Sequence, residues 1–159
     1  MRIAALAAAA FATLALAMPA TALTVEAKMS TEFQKKLDSD LGAREAKTLS
    51  DALTRKIDNA FTSAGVKADH VVVTIEDAKP NRPTFQQISD KPGLDGLRSF
   101  SIGGARISGI AYDAAGNEIG RFEHKWYETD IANAVATGTW SDARTSFDRF
   151  ARRFAEQLS

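Results

Sequence analysis

Hydrophobic and polar residues alternate in three parts of the chain, a pattern typical of β-strands with one buried face. The stretches from Leu23 to Met29 and from His70 to Ala78 both show this period of two. A third stretch runs from Ala105 to Tyr127 and is divided by a short Gly-containing turn at 113–117. This third stretch predicts a β-hairpin, so the pattern predicts four strands.

Two longer stretches repeat their hydrophobic residues every three or four positions, as one face of an α-helix requires. The first runs from Ala43 to Ala64, and Gly65 follows it where a left-handed C-terminal cap favours glycine. The second begins at Ser141, the predicted N-cap, and its stripe carries three phenylalanines. Asp142 lies in its first turn, where the helix dipole favours an anion. Shorter helical or irregular pieces are expected at 33–41 and 130–136.

The predicted order is therefore strand, helix, strand, long loop, hairpin and helix. It predicts an α+β fold in which two helices pack on one face of a mostly antiparallel four-stranded sheet. The second arm of the hairpin carries one strongly charged face, which we expect to see solvent. The sequence shows no repeat and no linker, so residues 23–159 are expected to form a single domain.

The long loop between Lys79 and Gly104 is the first place to look for a site. It holds three of the four prolines and four glycines, and we expect it to be mostly irregular. Loops longer than about 15 residues are uncommon in compact domains and are often functional. We expect its few hydrophobic residues to anchor it to the core: Phe85, Ile88, Leu94, Leu97, Phe100 and Ile102.

Within this loop, Asn81 and Arg82 are held between two prolines that restrict the backbone. Arginine suits the fork-like binding of a carboxylate or phosphate, so these two residues, with Asp90 and Asp95, are the candidate binding residues. The alternative is structural: Arg82 fastens the loop to an acid such as Asp90 or Asp95.

The first 22 residues predict a cleaved signal peptide. Arg2 precedes an apolar run from Ile3 to Met18, Pro19 ends the run, and small residues at 20–22 predict cleavage before Leu23. The run is too short for a transmembrane anchor, and the chain has no cysteine that could carry a lipid. We therefore expect a periplasmic or secreted protein with neither a transmembrane nor a lipid anchor.

Charge and composition exclude some classes of function. Arg2 is the one charged residue among the first 22, so residues 23–159 carry 19 Lys and Arg against 20 Asp and Glu. This balance argues against a nucleic-acid-binding surface. The absence of cysteine excludes disulfides and thiol chemistry.

Catalytic and metal-binding motifs are also missing from the sequence. The two histidines, His70 and His124, have no HExxH context, and no serine lies in a nucleophile motif. We expect no metal and no cofactor. A small hydrolase that uses the loop carboxylates and His124 is the alternative function, and self-assembly through the fourth strand is a third possibility if that strand lies at a sheet edge.

Three short stretches, Pro80–Phe85, Ser101–Ala105 and Thr139–Ala143, resemble small exported bacterial proteins known as a domain-of-unknown-function family. The order of elements also resembles envelope accessory lipoproteins of the transport-auxiliary kind, although this chain lacks their acylated cysteine. These resemblances imply a non-enzymatic role in the cell envelope. Together with the residues above, they favour a protein that binds a protein partner or a small ligand through the 79–104 loop and the exposed hairpin face.

Overall fold

The computed structural model describes residues 22–134 and 138–159. Most of the predicted signal peptide, and the end of the turn predicted at 130–136, lie outside the described residues. The strands are β1 (Thr24–Met29), β2 (His70–Lys79), β3 (Gly104–Tyr112) and β4 (Glu118–Tyr127). The helices are α1 (Thr31–Lys36), α2 (Arg44–Ala64), α3 (Phe85–Asp90) and α4 (Ser141–Leu158), with a π-helical turn at Leu37–Leu41 and a 3-10 turn at Ile131–Ala134.

The four strands form one sheet in the order β1-β2-β3-β4. The first pair is parallel, with Thr24 opposite His70, and the other two pairs are antiparallel. A parallel pair needs a crossover connection, which α1, the π-helical turn and α2 supply. The sheet is thus mostly antiparallel, as predicted. Because β4 lies at an edge, the condition for self-assembly through this strand is met, and self-assembly itself stays a hypothesis.

Both long helices pack on the same face of the sheet, and this confirms the predicted α+β architecture. Helix α2 lies against β1, α4 lies against β3 and β4, and the two helices contact each other. Phe61 of α2 meets Phe154 of α4 edge to face, with ring centroids 5.4 Å apart. Helix α2 ends at Gly65 in a left-handed conformation with φ of 67°, as its sequence predicts.

The charged face of the hairpin is exposed, as expected. Arg106, Arg121 and Lys125 are exposed on the side of the sheet opposite the two long helices, whereas Ile107 and His124 are buried on the helix side. None of the helices in residues 22–134 and 138–159 is long and apolar enough to span a membrane.

The structure adds one helix to the predicted elements and corrects one helix cap. The 79–104 loop is mostly irregular, as predicted, but it contains α3, which begins at a capping box formed by Thr84 and Gln87. A helix of six residues has fewer than two turns, too few for a hydrophobic repeat to reveal it. The predicted cap Ser141 is wrong: Trp140 occupies the N-cap position, and the Ser141 hydroxyl accepts from the Gly138 N–H at 2.8 Å.

Candidate functional site

Asn81 is fully buried and joins the end of β2 to the start of α4. Its Oδ1 accepts from the backbone N–H of Asp142 at 2.9 Å, and its Nδ2 donates to the Asp142 carboxylate at 2.5 Å. The same amide donates to the carbonyl of Ser101 at 3.3 Å. Asn81 therefore caps α4 from a distant part of the chain, a role that the sequence had assigned to Ser141.

Asp142 is buried in the first turn of α4, with 7% of its surface exposed. Its carboxylate accepts from Asn81 and from the backbone N–H of Gly103 at 2.9 Å. A buried carboxylate is tolerated only where donors surround it, and the helix N-terminus adds a favourable dipole. At Gly103 a side chain would approach Asn81 Oδ1 to 2.7 Å, so this contact requires glycine.

Backbone hydrogen bonds complete this connection, which we call the Asn81 clasp: Asn81, Ser101, Gly103 and Asp142. The N–H of Asn81 donates to the carbonyl of Thr139 at 2.7 Å, and the N–H of Ser101 donates to the carbonyl of Asn81 at 2.8 Å. The clasp ties both ends of the 79–104 loop to α4. These hydrogen bonds consequently restrict the movement of both ends of the loop.

Arg82 is half-buried beside the clasp and fastens the middle of the loop. Its Nη1 donates to the carbonyl of Leu97 at 2.5 Å, so it holds a backbone group in the turn at 95–99. Asp95 begins this turn and accepts from the N–H groups of Leu97 and Arg98 at 2.7 and 2.8 Å. These backbone hydrogen bonds, from Arg98 first, lower the pKa of Asp95.

The structure thus brings two of the four candidate binding residues together. Asn81 and Arg82 both line a cavity of about 380 Å³ between the loop and the π-helical turn, the loop cavity, whose lining includes neither Asp90 nor Asp95. Asp90 is exposed at the end of α3 and accepts from Gln86 one turn earlier. The assignment of these four residues to a binding site stays a prediction.

Helix α3 is held against the π-helical turn by Asp40. This carboxylate accepts from Gln87 at 2.9 Å and pairs with Lys91. Although burial opposes the effect, the hydrogen bond from Lys91, followed by that from Gln87, lowers the pKa of Asp40. Asp40 therefore holds the first turn and the C-terminal end of α3 on the body of the protein.

The expectation that the loop's hydrophobic residues anchor it to the core is wrong for most of them. Phe85 is 90% exposed and Leu97 is 84% exposed, while Ile88 and Phe100 are about two-fifths exposed at 38% and 41%. The polar contacts of Asn81, Arg82 and Asp40 hold the loop instead. This leaves large apolar side chains on a rigid surface with nothing to cover them among the described residues.

Phe85, Ile88 and Leu97 line a groove of about 520 Å³ between α3 and the start of α4, which we call the α3 groove. Trp140 also lines it and is 4% exposed, and its indole N–H donates to Glu45 of α2 at 2.6 Å. The groove thus combines a buried tryptophan with three exposed apolar side chains. The sequence pointed to this loop as the place for a site, but it did not single out these side chains as a candidate surface.

His124, the histidine of the alternative hydrolase, lies under α4 and stacks on Phe122 with centroids 6.5 Å apart. It is 9% exposed, and its Nε2 has no hydrogen-bond partner among the described residues. Burial, with the positive charges of Arg153 and Arg149, lowers its pKa. No bond in the described structure connects this imidazole with Asp90 or Asp95.

No set of three or more His, Asp or Glu side chains in the described part of the chain is arranged to hold a metal ion. His70 lies 3.7 Å from a carboxylate oxygen of Glu26 on the neighbouring strand, on the exposed side of the sheet.

Comparison with known proteins adds no family to this picture. No protein-family model matches the chain, and no curated protein matches it.

Proposed function

We propose that this chain is an exported, non-enzymatic protein of the cell envelope that binds a protein partner through the α3 groove. The observation that supports this most is the exposure of Phe85 and Leu97, at 90% and 84%, along one groove. Adjacent apolar side chains exposed to this extent are typical of protein interaction sites.

The energetics favour a partner at this position. Complete burial of a Phe or Leu side chain contributes about 1.5 to 3 kcal/mol, so covering Phe85 and Leu97 together would contribute about 3 to 6 kcal/mol. Binding energy at protein interfaces is concentrated in a few such residues around a well-packed pocket. The clasp and Asp40 hold the groove in place, which lowers the entropy cost of binding.

The groove also favours a partner of particular chemistry. Two charged residues line the groove, Glu45 and Arg144. Glu45 is partly buried and accepts from Trp140, whereas the side chain of Arg144 is exposed and is the more accessible charge. We expect a protein segment that inserts one or two large apolar side chains and places an acidic residue opposite Arg144.

Export and the absence of catalysis are supported by the sequence. The first 22 residues have the three regions of a signal peptide in order. The resemblance to small exported proteins points to the same compartment. The sequence offers no nucleophile, base and orienting group that can be named together.

A site-specific photo-crosslinker tests this proposal in the full chain, expressed in its native cells. At position 97 we expect one predominant adduct with an envelope protein, and the added substitution Phe85→Ser should reduce its yield at least fivefold. The matched control carries the crosslinker at Ile131, which is 52% exposed but does not line the groove. We expect no such adduct there.

Titration with the purified partner gives the quantitative test. The double variant Phe85→Ser/Leu97→Ser should weaken binding at least tenfold without changing the melting temperature, because both side chains are exposed. The variant Ile131→Ser should bind like the wild type. Equal affinities for all three proteins would refute the α3 groove as the binding site.

A further inference from the structure

The exposed face of the sheet carries a second cavity, built on an irregularity in β2. The pairing register of β2 and β3 shifts between Ile75 and Asp77, so Glu76 is an extra residue on β2. Simple alternation would place Glu76 and Asp77 on opposite faces. Because of the bulge, Glu76 accepts from the Ser108 hydroxyl at 2.7 Å and Asp77 from the Tyr127 hydroxyl at 2.8 Å.

Asp77 is fully engaged by groups from two other elements. One of its oxygens accepts from Lys36 of α1 at 2.9 Å, and the other accepts from Tyr127 of β4. The ion pair between Lys36 and Asp77 cancels their two charges. It also fixes the Tyr127 ring beside the cavity.

Two cations of the same cavity have no such partner. Arg106 of β3 and Lys125 of β4 are directly opposite each other in the register of the two strands. Neither makes a hydrogen bond or an ion pair with its side chain within the described residues. Like charges directly opposite each other in a sheet are unfavourable, and an anionic group between them would relieve the repulsion.

The cavity that these residues line, the sheet cavity, has a volume of about 380 Å³. Its lining carries three acids and three cations: Glu32, Glu76, Asp77, Lys36, Arg106 and Lys125. Since Lys36 and Asp77 neutralise each other, the lining leaves two cations, Arg106 and Lys125, and two carboxylates, Glu32 and Glu76, without an ion pair among the described residues. A ligand with one carboxylate and one ammonium group matches this pattern better than a simple anion.

We propose that the sheet cavity binds a small zwitterion, an amino acid or a short peptide, with its carboxylate between Arg106 and Lys125 and its ammonium group toward Glu76 and Glu32. Arg106 supplies a planar fork for the carboxylate, and Tyr127 supplies an aromatic wall. The volume is in the range of small-ligand sites. This proposal is independent of the α3 groove.

The test is a titration of the isotopically labelled full chain, followed by NMR. The probes are glycine and glycylglycine, with acetate and methylammonium as single-charge controls. We expect saturable shifts of the Arg106 and Lys125 amides with at least one zwitterion, at an affinity at least fivefold higher than for either control. The zwitterion that binds more tightly distinguishes a free amino acid from a peptide.

Substitutions test the contacts to the carboxylate and to the ammonium group of the ligand separately. The double variant Arg106→Gln/Lys125→Gln should lose saturable binding of the zwitterion. Glu76→Gln should lower the affinity for the zwitterion and leave the response to acetate unchanged. The matched control is Arg121→Gln, on the same face of β4 but paired with Glu118, and it should bind like the wild type.

Three results would overturn the proposal. They are the absence of a saturable response to both zwitterions, equal affinity for acetate, and unchanged binding by the double variant. The substituted residues Arg106 and Lys125 are exposed, so unfolding should not complicate these results, and melting temperatures of all variants will verify this.

Discussion

Asn81 has its entire side chain in the interior, and each bond of its amide ends on α4 or on the backbone at 101. Its value lies in satisfying groups that would otherwise be buried without partners. The flanking prolines identified Asn81 as a residue of interest from sequence. Its partner Asp142 is 61 positions away, and no local pattern connects the two.

We predict that Asn81→Ala lowers the free energy of unfolding by about 3 kcal/mol, because the buried Asp142 carboxylate loses one of its two donors and the Asp142 N–H loses its acceptor. Urea unfolding measures the effect. Asn59→Ala, an exposed change on α2, is the matched control and should alter stability by less than about 0.5 kcal/mol. A similar small change for both variants would contradict the role of the clasp.

His124 leads to a prediction about pH. Its pKa in the folded protein is below the ordinary value, so the unfolded chain binds a proton more readily. The stability contributed by the neutral imidazole is complete above about pH 6.5, the unfolded pKa, and is lost as pH falls toward the folded pKa.

Urea unfolding at pH 7.5 and pH 5 measures this loss in the wild type and in His124→Phe. Phenylalanine keeps an aromatic ring next to Phe122 and does not titrate, whereas the carboxylates titrate in both proteins. We expect the wild type to lose more stability than the variant over this interval. Parallel curves for the two proteins would mean that His124 contributes nothing to the pH dependence.

At the level of elements, the long periodic segments, the short helical piece expected at 33–41 and the described part of the turn expected at 130–136 agree with the structure, whereas α3 and the bulge in β2 were not predicted. Helix α2 begins one residue after its predicted start and ends where its repeat ends, since 21 residues give a clear stripe and Gly65 ends it. The bulge at Glu76 was not predictable, because both Glu76 and Asp77 are polar and fit either face. Helix α3 was missed because polar contacts, not a buried stripe, hold it.

The packing of α4 on the sheet depends on a glycine in β3. A side chain at Gly109 would approach Phe150 to 2.8 Å, and Phe150 is confined by Phe122 and Phe154. We predict that Gly109→Ala lowers the free energy of unfolding by about 1 to 3 kcal/mol through overpacking.

The same substitution at Gly120 provides the control for thermal or urea unfolding. There a side chain would meet Leu158, which is half-buried at the last turn of α4 and is free to move aside. Gly120→Ala should therefore cost less than Gly109→Ala. The reverse order would show that α4 tolerates displacement over its middle.

For the whole molecule, the sequence predicted the fold class, the four strands and the face on which the helices lie. The sequence did not predict the order of the strands or the parallel pairing of β1 with β2, because alternation identifies the buried face of a strand but not its neighbouring strand. The exposure of Phe85 and Leu97 was missed for a related reason. Hydrophobicity alone does not distinguish a side chain that anchors a loop in the core from one that is exposed on the surface.

The proposed export predicts a mature protein with a defined N-terminus. We expect the purified envelope form to begin at Leu23, which N-terminal sequencing and intact mass will determine. Ala22→Phe should block this cleavage and yield the longer chain, whereas the charge-preserving Arg2→Lys should leave it unchanged. Recovery of an uncleaved wild-type chain would contradict the predicted signal peptide.

The parallel pairing of β1 also has a consequence for folding kinetics. Tyr112 and Glu118 of the hairpin are close in sequence and can pair within microseconds, whereas Thr24 pairs with His70 across 46 positions. Contacts of such separation form slowly because the loop must close first. Although β1 precedes the other strands in the chain, it is thus among the last to be fixed in the sheet, which lengthens the time for which the exported chain that we propose remains unfolded.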